Sequence, residues 1–201
     1  MFLFARLAAL GTMLLALTAG APPAAAPAPS PTPLDCKNAA TTIDLDACAG
    51  QDRDAAEAAL QAALVKHHVP EPLSDAWRVM RWTTCDDFVG ELFAGGSISS
   101  MEQTQCQARL TAAFTKRISQ PAPKPSAESA DAARRDLNAF VASYRAHLDE
   151  PRTREILDIA ESAWRVYATY EVQFAGPTEY VSLTRERIDD LKSTVLGERF
   201  W

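Results

Sequence analysis

A tetrapeptide that the chain uses twice constrains the fold more than any other feature. Ala76-Trp77-Arg78-Val79 returns as Ala163-Trp164-Arg165-Val166. Around the first copy, Leu73, Ala76, Trp77, Met80, Thr84 and Phe88 recur at steps of three and four with one step of one. Around the second, Ile156, Ile159, Ala163, Val166, Tyr167, Tyr170 and Phe174 do much the same. That period puts the apolar residues on one face of an α-helix and excludes the two-residue alternation of a half-buried strand. A stripe of this width has to be covered by other elements, so each copy predicts the middle member of a small helical assembly.

The flanking segments supply the cover. Upstream of the first copy, Thr41, Thr42, Asp44 and Asp46 can cap a helix entering Cys48, and from Asp52 an Ala-rich run carries Leu60, Leu64 and His67 until Pro70 and Pro72 end it. Downstream, Gly95-Gly96 stops the second helix. Ser99 and Glu102 have the spacing of a capping box for a third, which carries Cys106, Leu110, Phe114 and Ile118. A linker at 119–126 follows, with prolines at alternate positions. The pattern then repeats: Ala133, Leu137, Phe140, Tyr144 and Leu148 predict a fourth helix. Asp149 or Glu150 can cap a fifth that has Pro151 in its first turn, Gly176-Pro177 breaks it, and Val181, Thr184, Ile188, Leu191 and Val195 predict a sixth.

The halves align piecewise. Asp54-Ala55-Ala56 with Leu60-Gln61 matches Asp131-Ala132-Ala133 with Leu137-Asn138, and Leu110-Thr111 matches Leu183-Thr184. The expectation is an all-α chain of two three-helix units, 36–118 and 127–201, made by duplication.

The beginning of the chain reads as an export signal. Residues 1–21 hold one charged side chain, Arg6, then an apolar run from Leu7 to Leu17 and a small-residue cleavage site; residues 22–35, nearly all Ala and Pro, read as a spacer. The apolar run is too short to span a bilayer comfortably. Removing the leader leaves 19 basic and 26 acidic residues, a net charge of −7. That balance argues against nucleic acid and anionic membrane surfaces as partners and favours basic ones. Cys36, Cys48, Cys85 and Cys106 make an even number, which in an exported chain reads as two disulfides, with three pairings open. Without a Cys-x-x-Cys pair or a nearby His, they do not read as a metal site. The compartment expected is the periplasm or the exterior.

In the first unit these residues form a combination. Cys36, Thr41-Thr42, Cys48, Trp77 with Cys85 eight residues on, Gly95-Gly96-Ser97, Cys106 and Leu110-Thr111 follow in order. This resembles the N-terminal domain of the LprI-type lysozyme inhibitors, a family of small exported helical domains. The resemblance covers 36–118 and implies a binding protein that inhibits a lysozyme-like peptidoglycan hydrolase. It continues more faintly over 131–195 through Leu183-Thr184, Arg187 and Leu191. There Val172 and Glu179 stand where Cys85 and Cys106 would be expected, so the second unit lacks the covalent tie. The expected pairing is Cys36–Cys48, which is local, and Cys85–Cys106, which spans the Gly-Gly-Ser turn.

No residues announce catalysis. His67 and His68 are adjacent and so diverge on a helix, Ser97 is not in a nucleophile elbow, and no glycine-rich phosphate loop occurs. No catalytic residue, metal or cofactor is expected. Trp77 and Trp164 read as core, and Arg78 and Arg165 as solvated or paired with a carboxylate. The binding candidates are Gly95, Gly96 and Ser97, in a loop pinned by the second disulfide, together with Asp86, Asp87 and Glu91 on an acidic helix face. Two functions fit: an inhibitor of a basic lysozyme-like enzyme, or a structural or interaction module of the periplasm.

Overall fold

The computed structural model describes residues 35–120 and 126–193. The leader, nearly all of the spacer, the prolines of the linker and the last eight residues of the chain lie outside them. All regular structure among the described residues is helical: α1 (Thr42–Lys66), α2 (Glu71–Trp82), a π-helical stretch (Thr83–Val89), α3 (Gly90–Leu92), α4 (Ser99–Ser119), α5 (Ala130–Ala146), α6 (Pro151–Ala175) and α7 (Glu179–Ser193). None is long and apolar enough to cross a membrane.

Local chemistry explains most of the boundaries. Thr41 Oγ1 accepts from the Asp44 backbone N–H at 3.1 Å and starts α1. The helix then passes through Gly50 without interruption. His68 at φ 51° and Pro70 end it. Pro151 occupies the first turn of α6, where its missing N–H costs nothing, although the Glu150 side chain makes no cap bond. The Ser99–Glu102 capping box does not form. Ile98 takes the cap position, Ser99 is already helical, and the Glu102 N–H goes to the Ile98 carbonyl. Gly176, at φ 102°, turns the chain from α6 into α7 with a backbone that favours glycine.

α2, the π stretch and α3 run on continuously. Thr83 Oγ1 donates to the carbonyls of Val79 and Met80 at 3.0 and 3.1 Å, and the wider turn places Thr83, Thr84 and Cys85 all inside. Cys85 reaches Cys106 on α4 with Cα atoms 5.5 Å apart, and Cys36 reaches Cys48 at 5.6 Å. Both separations suit a disulfide.

α1 packs along α4, α5 along α7, and the two tryptophan-bearing helices, α2 and α6, pack on each other. The buried residues form a single cluster that includes Leu60, Trp77 and Phe114 from the first half and Leu137, Trp164 and Leu183 from the second. Trp77 stacks on Phe114 at 4.9 Å, and Phe114 meets Tyr167 edge-on at 5.9 Å, so aromatic contact crosses from one half to the other. Phe88 and Tyr144 make a second crossing at 6.1 Å. The two halves of the chain therefore share one core and do not each enclose their own. Removing the Trp164 ring from it should cost about 3–5 kcal/mol.

The repeat is not filled alike on both sides. Phe114 corresponds to Arg187, and Ser74, three residues before Trp77, corresponds to Glu161. Where the first half has a ring and a hydroxyl, the second has a buried ion pair: Arg187 Nη2 lies 2.7 Å from Glu161 Oε1, with Thr84 Oγ1 also 3.4 Å from Nη1.

Candidate functional site

The structure distributes the residues singled out from the sequence over two places. Gly95, Gly96 and Ser97 are exposed in the loop between α3 and α4, and Gly95 at φ 76° needs the freedom of glycine. The base of this loop is held three ways. Cys85–Cys106 crosses it, Gln107 Nε2 donates to both oxygens of Asp86 at 2.8 and 3.0 Å, and Gln103 Nε2 donates to the Asp86 carbonyl at 3.3 Å. The acidic face is less uniform than the sequence suggested. Asp86 is half-buried and spent on Gln107, Glu91 is half-buried and 3.3 Å from Arg152, and Asp87 is exposed. With only Asp87 fully exposed, these carboxylates do not form one open surface.

Trp77 and Trp164 are core residues, as read. Arg78 pairs with Asp75 on the surface, and Arg165 Nη2 reaches Asn138 Oδ1 at 3.4 Å.

The second place was not read from the sequence. α4 and α7, corresponding helices of the two halves, form the sides of a cleft of about 850 Å³, with α2 and α6 beneath it. Its apolar lining includes Trp77, Met80, Leu110, Phe114, Trp164 and Leu183. At its base Arg117 of α4 faces three carboxylates: Glu171 of α6 at 3.9 Å, Glu179 of α7 at 3.7 Å, and Glu186 of α7 in direct contact. Glu179 thus has a partner, but across the two halves: it meets Arg117, not the residue at the other lost cysteine position.

The electrostatics of this cluster follow from burial. Glu171 is 0% exposed, and burial pushes its carboxyl up to about 7, only partly opposed by Arg117. The Tyr167 hydroxyl adjoins it, yet neither carboxylate oxygen has a hydrogen bond of ordinary geometry. Burial also raises Glu179 against the pull of Arg117, raises the Tyr167 phenol well above its usual value, and raises Asp190 of α7 despite Arg109. For Arg117, burial is outweighed by the surrounding acids, which hold its guanidinium more firmly charged. Two buried carboxyls beside one guanidinium are an incompletely compensated site. Among the described residues no three His, Cys, Asp or Glu side chains gather as metal ligands.

The two buried carboxylates of this cluster, Glu171 and Glu179, lie among apolar positions. Glu171 sits four residues after Tyr167 and seven after Trp164, on the inward face of α6. A carboxylate in register with a tryptophan was the signal that could have found it. Compared with known proteins, the chain matches no family model, no curated protein and no solved structure.

Proposed function

We propose that this chain is an exported binding protein that inhibits a basic, lysozyme-like peptidoglycan hydrolase through the loop between α3 and α4. The observation that carries this reading is the loop itself: exposed from Ala94 to Ser97, and fixed at its base by a disulfide and by the Gln107–Asp86 contact. A loop ordered in advance loses less entropy on entering a partner's cleft. The resemblance of residues 36–118 to LprI-type inhibitors supplies the partner class, and the paired cysteines suit an oxidising compartment such as the periplasm or the exterior. The acidity of the chain would speed encounter with a basic enzyme, and salt would weaken that effect.

The test is a lysozyme turbidity assay with the purified protein at low and at physiological salt. Inhibition is expected, and Ser97→Arg should weaken it by about tenfold or more if Ser97 sits at the centre of the contact. Gly96 is a poorer site for mutation, because a Cβ there would meet the Phe93 carbonyl at 3.1 Å. A lack of inhibition at tens of micromolar, roughly ten times the Kd of an ordinary micromolar complex, ends this reading.

A second reading, an interaction module without inhibitory activity, is favoured by a different surface. Val79 and Trp82 on α2, and Ile159, Val166, Tyr170 and Phe174 on α6, are exposed large apolar side chains on the two central helices. Absence of inhibition together with loss of a partner on Trp82→Ser would support it.

A further inference from the structure

Among the described residues, most of the buried side-chain polar atoms without a hydrogen-bond partner belong to residues of one cleft. Both oxygens of Glu171, Nε and Nη1 of Arg117 and Nε1 of Trp77 are among them. Folded proteins pair nearly all such atoms, so their concentration beside a cavity marks a place where the protein alone does not complete its own contacts. The cavity, about 850 Å³, lies within the range of small-molecule sites, and its mixture of apolar walls with a few polar groups is typical of them.

Charge selects the class of ligand. Arg187 is matched by Glu161 at 2.7 Å, and Asp190 by Arg109 at 3.7 Å. What remains is Arg117 and the neighbouring Lys116 with Glu171, Glu179 and Glu186. Once Glu171 is ionised, three acids against two cations favour a further cation over an anion. The apolar walls, Met80, Leu110, Phe114 and Leu183, suit a hydrophobic body behind the charged group.

We propose that the cleft between α4 and α7 binds an organic cation, a primary ammonium on an apolar body, with the Glu171 carboxylate as its anchor. The Glu171 oxygens are sealed from solvent as they stand, so the ammonium reaches them only when the Arg117 side chain gives way towards Glu186; the body then lies against Phe114 and Leu183. This site is separate from the loop between α3 and α4, and its test is independent of any effect on lysozyme.

The pH dependence follows. Glu171 is held near 7, so it is mostly protonated at pH 6 and mostly ionised at pH 8, whereas an alkylammonium keeps its charge throughout. The groups that face Glu171 are Arg117 from α4, Tyr167 from α6, and Glu179 and Glu186 from α7; His67 at the end of α1 also lines the cleft. Affinity for the cation should rise about tenfold from pH 6 to pH 8, as the ionised fraction does.

The experiment is calorimetric titration of the full chain with tryptamine, indole-3-ethanol and indole-3-acetate, which share a body and differ in charge. Tryptamine should bind at least about tenfold tighter than the alcohol, and the acetate weakest, because a hydrogen bond to a charged partner is worth that factor or more. Glu171→Gln should remove both the preference for tryptamine and the rise with pH, and circular dichroism checks that it is folded. Ala113→Phe, which places a ring in the cleft and leaves Glu171 untouched, should abolish binding of all three. Equal binding of alcohol and amine, tighter binding of the acetate, a preference that survives Glu171→Gln, binding that survives Ala113→Phe, or no binding at millimolar ligand would each overturn the proposal.

Discussion

Glu171→Gln should make the protein more stable at alkaline pH and flatten part of its pH dependence. The folded carboxyl titrates at about 7 against an ordinary 4.5. A raised folded pKa means that the folded state binds the proton more tightly than the unfolded one. The associated stability is fully present below about pH 4.5 and is lost as pH rises through 7. A shift of this size corresponds to about 3 kcal/mol at full ionisation, of which about 2.5 kcal/mol develops between pH 5 and pH 8. Glu171 is fully buried, so solvent screening does not reduce the figure much. In a domain of this size that loss is roughly 5–10 °C in Tm. Glutamine keeps the shape and cannot ionise. The measurement is a set of thermal or urea melts of both proteins from pH 4.5 to 8.5. The difference curve, variant minus parent, cancels most of the contribution of the other raised acids, Glu179 and Asp190. It should climb with pH through neutrality. A flat difference, or one in which the parent gains on the variant as pH rises, would refute the assignment of a buried, uncompensated carboxyl to this position.

Three other outcomes are expected. Cys85→Ser with Cys106→Ser should lower stability by about 3 kcal/mol, read in denaturant melts, because that disulfide closes a loop with a sequence separation of 21. A fragment of residues 127–201 should fail to fold alone, since Tyr144 and Tyr167 would lose partners in the first half; a cooperative melt of that fragment by circular dichroism would contradict the shared core. Arg187→Ala should cost about 3–5 kcal/mol by stranding Glu161, whereas Arg187→Phe with Glu161→Ser, which copies Phe114 and Ser74, should recover most of that loss.

Much of the fold was legible because helices announce themselves locally. The steps of three and four around Trp77, the prolines at 70 and 151, and the glycine at 176 each act within a turn or two of chain. Around Trp164 the helix was legible but its inward face was not: Ile159, Val166, Tyr170 and Phe174 are exposed, and α6 buries Leu157, Ala160, Trp164 and Tyr167. The pairing of Cys36 with Cys48 and of Cys85 with Cys106 joins the nearest cysteines in sequence. The sharing of one core was not legible. An apolar stripe reads the same whether it faces its own half or the other, so nothing in Phe114 foretold contact with Tyr167. The π stretch was also hidden, because its wide turn is a tertiary compromise around Cys85 and not a pattern of residue types. The cleft was missed for a similar reason. Arg117, Glu171 and Glu179 lie on three helices, and in the sequence Glu179 looked only like a lost cysteine.

The mismatch between Phe114 and Arg187 has a consequence for how the cleft can be approached. Two identical copies of a three-helix unit, meeting through the same helices, would offer a visitor matching walls and so two equivalent ways to sit. In a single chain each wall is free to vary alone. Here one side presents a ring stacked on Trp77, and the other a guanidinium locked to Glu161. An elongated guest therefore meets a greasy bank and a charged bank, and the groove has two distinguishable sides that no symmetric pair could supply.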